Sequence, residues 1–135
     1  MIRKGITVSK SHSPGFLKIA EEARSKIKEI SAEDFRHEMT TNHHVILLDV
    51  REDHEWNDGS IKGAIHLGRG ILERDVEVKV PQKDAPIVLY CGGGYRSALA
   101  AHSLGQMGYS NVRSLAGGYR RWLDLGYEIQ KGKKP

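Results

Sequence analysis

The sequence has 135 residues, of which 39% are hydrophobic and 28% are charged, as expected for one globular domain. No apolar run reaches the roughly 18 residues of a membrane-spanning helix, and no apolar stretch follows the basic N-terminus as in a secretory signal. The single cysteine, Cys91, excludes an intrachain disulfide and a cysteine-rich zinc site, and we expect a free thiol in the reducing cytoplasm.

The net charge of +4 is concentrated near the N-terminus. Residues 1–30 hold seven basic and three acidic residues, whereas residues 31–135 hold fourteen of each kind. Nucleic-acid binding requires a concentrated basic face, which this distribution does not indicate, so we expect neither a nucleic-acid nor a membrane partner. The composition predicts an N-terminal extension over residues 1–30, one folded domain over 31–130 and a basic tail over 131–135.

The N-terminal extension is predicted to carry one amphipathic helix. Apolar residues recur at helical spacing from Phe16 to Ile30, and Ser13-Pro14-Gly15 is typical of a helix start. Residues 6–8 are compatible with an additional edge strand. We expect the helix to pack on the outside of the domain, with a surface for a partner as the alternative.

The rest of the chain alternates helical patterns with short apolar runs. Ser31 followed by Asp34 has the spacing of a capping box and predicts a helix to about Met39. Strands are predicted over residues 45–50, 64–67, 86–90 and 111–115. Helices are predicted over 69–75, 96–107 and 119–125, with a loop or short helix at 52–56 and a short final segment at 127–129. This order predicts a mainly parallel sheet that is covered on both faces.

Cys91 directly follows the predicted strand at 86–90, at the edge of the sheet where parallel sheets bind ligands. The chain continues as Gly92-Gly93-Gly94-Tyr95-Arg96-Ser97 into a helix. A glycine loop that closes on a helix N-terminus gathers several amide N–H groups around one point. We expect these amides and the arginine to surround the sulfur and to lower the pKa of its thiol below the free value of about 8.5. The alternative is a small buried cysteine without chemistry.

Other polar residues are predicted to support this loop. Tyr95 is expected to shape the mouth of a pocket, and Ser97 to cap the helix or to bond to the sulfur. Asp49 and Arg51 end the strand at 45–50 at the same edge, where an ion pair that ties loops together is the favoured interpretation and tuning of the site the alternative. Scaffold or core roles are expected for Glu55, Trp56, Gly117, Gly118 and Trp122.

Three segments resemble the signature motifs of the rhodanese-like sulfurtransferase family. They occur in the family's order and lie at residues 49–66, 91–97 and 117–122. The first departs from the usual Gly-His-Ile at Ser60. The resemblance implies an α/β fold whose five-stranded, mainly parallel sheet carries helices on both faces, with the N-terminal helix as an addition to the minimal domain.

The resemblance also implies a sulfurtransferase that works through a persulfide at Cys91 and requires no cofactor or metal. The expected donor is thiosulfate or a persulfide, and the expected acceptor is a thiol, cyanide or a protein partner in a sulfur relay. Gly92 to Ser97 are implied to bind the anionic donor.

Two alternatives remain open: a sulfur-carrier or sensing module without turnover, and an arsenate reductase or phosphatase-like enzyme. Tyrosine phosphatases place five residues between the cysteine and the arginine of their loop, whereas four separate Cys91 from Arg96. The tighter loop favours a bound sulfur over a phosphoryl group.

Overall fold

The structure is a computed structural model that describes residues 12–132, so the edge strand predicted at residues 6–8 lies outside the described part. Within residues 12–132 the chain forms seven strands: β1 (Lys28–Ile30), β2 (Ile46–Asp49), β3 (Ser60–Ile61), β4 (Ile65–His66), β5 (Ile87–Tyr90), β6 (Val112–Leu115) and β7 (Ile129–Gln130). The same part of the chain forms six α-helices: α1 (Pro14–Arg24), α2 (Ala32–Thr41), α3 (Asp53–Asn57), α4 (Leu72–Lys79), α5 (Tyr95–Gln106) and α6 (Gly118–Asp124).

Five of the strands form one parallel sheet in the order β1-β6-β5-β2-β4. The predicted five-stranded α/β architecture is therefore confirmed. The antiparallel pair of β3 and β7 lies outside this sheet and aligns Ile61 with Ile129. Sequence patterns did not predict this pair, because two-residue strands are too short to show any periodicity.

The central strands alternate their side chains between two hydrophobic cores. On one face, Leu48 and Leu89 pack with residues of α4 and α5. On the other face, Leu47 and Val88 pack with residues of α2 and α6. Both faces of the sheet are therefore covered by helices, which explains why β5 is apolar along its whole length and completely buried.

The N-terminal helix is shorter than predicted. The expected helix over residues 16–30 ends at Arg24, and Lys28–Ile30 forms the edge strand β1, which pairs with β6. Ile27 and Ile30 continue the helical spacing of the preceding apolar residues, so periodicity alone could not separate a helix from a short strand that follows it. Pairing with a distant strand decides the conformation of this segment.

The other predicted elements are confirmed with boundaries that shift by a few residues. The predicted start of α2 is confirmed, since the Ser31 side chain accepts a hydrogen bond of 3.0 Å from the amide of Asp34 and caps the helix. The reciprocal bond of a capping box is recorded instead at α3, between Glu52 and Glu55. The helix predicted over 69–75 is longer and consists of a 3₁₀ turn at Arg69–Ile71 followed by α4. Among residues 12–132, no helix is both long and apolar enough to cross a membrane.

Candidate active site

Cys91 lies directly after β5, at the carboxyl edge of the sheet, and is 1% exposed. Its Sγ accepts hydrogen bonds from the amides of Gly94 at 3.2 Å and Ser97 at 3.3 Å. The thiol also lies 3.5 Å from the Ser97 hydroxyl, which shares a hydrogen bond of 2.8 Å with the hydroxyl of Ser114. Two amides of the loop therefore donate to the sulfur.

The remaining amides of the loop are available for a ligand. Within the described part of the chain, no acceptor is assigned to the N–H groups of Gly92, Gly93, Tyr95 and Arg96. Gly92 and Gly93 precede α5, and Tyr95 and Arg96 are its first two residues, whose amides have no partner within the helix. Unpartnered amides at the start of a helix are donors of the kind that bind anions.

The first turn of α6 holds the loop from the opposite side. The amides of Tyr119 and Arg120 donate to the carbonyls of Cys91 at 2.8 Å and of Gly92 at 3.0 Å. Gly118 has a φ of +57°, and a Cβ at this position would overlap the Cys91 carbonyl oxygen. The backbone role that the sequence indicated for this glycine therefore follows from close contact between two backbone segments.

Arg96, which lines the same pocket as Cys91, forms a two-pronged ion pair with Glu55. Its Nη1 and Nη2 lie 2.8 Å and 3.1 Å from the two carboxylate oxygens. Hydrogen bonding to this guanidinium lowers the pKa of Glu55 to about 2. The carboxylate thus remains charged and offsets one positive charge beside the loop. Glu55, predicted as scaffold from the sequence, is a residue of the pocket wall.

A pocket of about 360 Å³ opens above the sulfur. Its walls contain five residues of the predicted loop, two from other parts of the domain and two from the N-terminal segment: Cys91, Gly92, Gly93, Tyr95, Arg96, Glu55, Arg120, His12 and Phe16. Gly94 and Ser97 lie beneath the pocket, where they bind Sγ. His12 and Phe16 were not predicted, since nothing in their local sequence indicates that the helix start reaches the loop.

Asp49 and Arg51 lie at the same edge of the sheet but outside this pocket. Arg51 forms a buried ion pair with Asp49, with a shortest distance of 2.7 Å, and also donates to the Gly59 carbonyl at 2.7 Å. Its guanidinium lies 4.2 Å from the centre of the Tyr119 ring. These contacts connect the end of β2 to the chain before β3 and to α6. They agree with the predicted Asp49–Arg51 ion pair that joins neighbouring loops.

No cluster of three or more His, Cys, Asp or Glu side chains suitable for a metal ion occurs among residues 12–132. The side chains that line the pocket are one thiol, two arginines, one carboxylate and three aromatic rings. A thiol that accepts amide hydrogen bonds at a helix start is suited to act as a nucleophile.

The sequence and the fold both match a known family of proteins. The model of the family described as "Rhodanese-like domain" matches residues 31–125. The chain is 31% identical over 103 residues to "Putative sulfur carrier protein YrkF" of Bacillus subtilis, covering 76% of the chain and 55% of that protein. It is also 31% identical over 103 residues to "Sulfurtransferase" of Allochromatium vinosum, covering 76% of the chain and 94% of that protein.

A solved structure has a similar fold over almost the whole chain. It belongs to a Rhodopseudomonas palustris protein described as of unknown function and as a "Possible Tyrosine Phosphatase". The TM-score is 0.76 and the identity is 31%, with 92% of this chain and 100% of the other chain covered. The matched segment 31–125 contains the sheet strands β2, β4, β5 and β6, the Cys91 loop and α6, and the chain belongs to the rhodanese-like domain family.

Proposed function

We propose that this protein is a rhodanese-type sulfurtransferase in which Cys91 carries the transferred sulfur as a persulfide. The observation that carries the proposal is the pair of amide hydrogen bonds from Gly94 and Ser97 to Sγ, at a pocket lined by the rest of the loop. The family membership and the relative named as a sulfurtransferase support the same activity. A free thiol is required throughout, so we place the reaction in a reducing compartment such as the cytoplasm.

Thiosulfate is the simplest donor with which to write the reaction. The Cys91 thiolate attacks the outer sulfur of thiosulfate, a sulfur–sulfur bond to Cys91 forms, and sulfite leaves with the electron pair of the broken bond. Cyanide or a thiolate then attacks the outer sulfur of the persulfide and releases the Cys91 thiolate. Neither step consumes an oxidant, and the loop amides bind the negative charge of the outer sulfur between the two steps.

The alternative favoured by a specific observation is a sulfur carrier, since one relative is named as such and this chain spans 55% of that protein's length. In that role the same persulfide forms, but transfer requires a protein acceptor. The words "Possible Tyrosine Phosphatase" given to the similar Rhodopseudomonas palustris protein suggest a phosphoryl substrate for that protein. The four-residue spacing from Cys91 to Arg96 and the engagement of Arg96 by Glu55 disfavour this substrate here.

A steady-state thiosulfate and cyanide assay of the wild type and Cys91→Ser tests the proposal. We expect thiocyanate production by the wild type and none by the variant, which keeps the size and fold of the site. Intact mass after thiosulfate treatment should rise by one sulfur atom and return to the starting value with a reductant. Turnover that persists in Cys91→Ser would exclude the mechanism, whereas sulfur loading without turnover would favour the carrier.

A further inference from the structure

The beginning of α1 contributes an aromatic wall to the Cys91 pocket. The centre of the Tyr95 ring lies 6.2 Å from that of Phe16 and 4.9 Å from that of His12. Both pairs have edge-to-face geometry. Both rings line the pocket above the sulfur. These two residues precede the segment 31–125 that the family model matches, so this wall is an addition to the common domain.

The position of this wall is defined by the packing of the helix. α1 packs along α5, the helix whose first turn carries the loop amides, and it buries the small side chains of Ala20 and Ala23. Phe16 lies one turn before Ala20 and is only partly buried, although it is the largest apolar side chain of α1. A ring that served only to attach the helix would be expected to lie in the core.

The lining of the pocket combines two kinds of chemistry. Arg120 and the Arg96–Glu55 ion pair present charge to the pocket, whereas Phe16, His12 and Tyr95 form a cluster of contacting rings in its lining. Thiosulfate consists only of oxygen and sulfur atoms, so it has no apolar group that could pack against these rings. The cavity of about 360 Å³ is in the range of pockets that bind organic ligands.

We propose that Phe16, assisted by His12, is a specificity-determining residue that favours organic sulfane-sulfur donors over inorganic thiosulfate. The donor class has an apolar or aromatic group beside an anionic sulfur-oxygen group, as in an aryl thiosulfonate. This inference rests on the proposed function and names the donor class of the same site. The Cys91 thiolate attacks the outer sulfur of the thiosulfonate, the sulfur–sulfur bond breaks, and an aryl sulfinate leaves with the bonding electrons.

A comparison of two donors that give the same enzyme persulfide distinguishes an effect on donor specificity from a general effect on the structure. Benzenethiosulfonate and thiosulfate both form the Cys91 persulfide, and cyanide completes both reactions, so only the leaving group differs. We expect Phe16→Ala to lower the ratio of kcat/KM for benzenethiosulfonate to kcat/KM for thiosulfate by about fivefold to tenfold. Phe16→Leu, which keeps an apolar side chain, should retain part of the ratio. A role limited to attaching α1 would lower both values equally and leave the ratio unchanged.

Ile19→Ala is the matched control, because Ile19 lies on the same helix, is 51% exposed and does not line the pocket. We expect it to keep the wild-type ratio. If Phe16→Ala folds poorly, Phe16→Leu and His12→Ala provide the comparison. A ratio that changes by less than about twofold in these variants would overturn this inference while Cys91-dependent turnover still supports the proposed function. Failure of the proposed function has a different signature, namely turnover in Cys91→Ser or no sulfur loading from either donor.

Discussion

Gly118 offers the sharpest structural prediction, because a single methyl group there acts directly on the Cys91 loop. In Gly118→Ala the new Cβ would overlap the Cys91 carbonyl oxygen and lie 2.8 Å from the carbonyl carbon and oxygen of Gly92. All of these are backbone atoms, so no side chain can rotate away. Either α6 or the loop must move by about 1 Å to restore ordinary contacts, and this movement breaks the hydrogen bonds from Tyr119 and Arg120.

The loss of stability expected for Gly118→Ala has two contributions, and a substitution at a second glycine measures one of them alone. A non-glycine residue in the left-handed region costs about 1–2 kcal/mol, and relieving the overlap costs about 1–3 kcal/mol more. Gly126 has a φ of +72° with nothing within 4 Å of its Cβ position, so Gly126→Ala carries only the first part. We expect Gly118→Ala to lower the free energy of unfolding by about 2–5 kcal/mol and Gly126→Ala by about 1–2 kcal/mol.

Urea denaturation followed by far-ultraviolet circular dichroism gives the stabilities, and the thiosulfate and cyanide assay gives kcat/KM for the folded proteins. A displacement of about 1 Å beside the reacting sulfur should lower kcat/KM roughly 100-fold in Gly118→Ala. Gly126→Ala should retain wild-type activity, since the added methyl group would meet no other atom within 4 Å. Equal destabilisation by the two substitutions, together with full activity of Gly118→Ala, would refute the conclusion that α6 positions the loop.

Three further predictions concern the polar groups around the site. Glu55→Gln should lower the KM for thiosulfate about threefold at low salt, less at high salt, because Arg96 is no longer neutralised. The pKa of Glu55 is lowered from 4.5 to about 2, so the ionised carboxylate stabilises the fold above about pH 4.5, and this stabilisation is lost as the pH falls to about 2. The wild-type advantage over Glu55→Gln in urea should therefore shrink between these two pH values. Ser97→Ala leaves the Ser114 hydroxyl buried without this partner, and should cost about 1–3 kcal/mol in urea and about threefold to tenfold in kcat/KM. Asp49→Asn leaves a buried guanidinium without its counter-charge and should cost about 3–5 kcal/mol in urea, with a much smaller effect on kcat/KM than Cys91→Ser has. Wild-type stability in either of the last two variants would contradict the assigned contacts.

Local patterns were sufficient to predict much of the fold. The continuous apolar runs of β2 and β5 indicated strands buried on both faces, and the spacing of Ser31 and Asp34 indicated the start of α2. Each of these signals depends on residues that are close in the sequence. The loop from Cys91 to Ser97 was predictable for the same reason, because a strand, a glycine run and a helix start are consecutive.

The tertiary structure alone decided how distant segments meet at the site. Lys28–Ile30 became a strand through pairing with β6, although its spacing is helical. Arg96 is paired with Glu55 from a distant segment, and Phe16 reaches the pocket because α1 packs along α5. The amino-acid sequence by itself determined the nucleophile and its amide donors, since those are neighbours along the chain. The charge balance and the aromatic wall around them depend on contacts between remote residues, which no local pattern encodes.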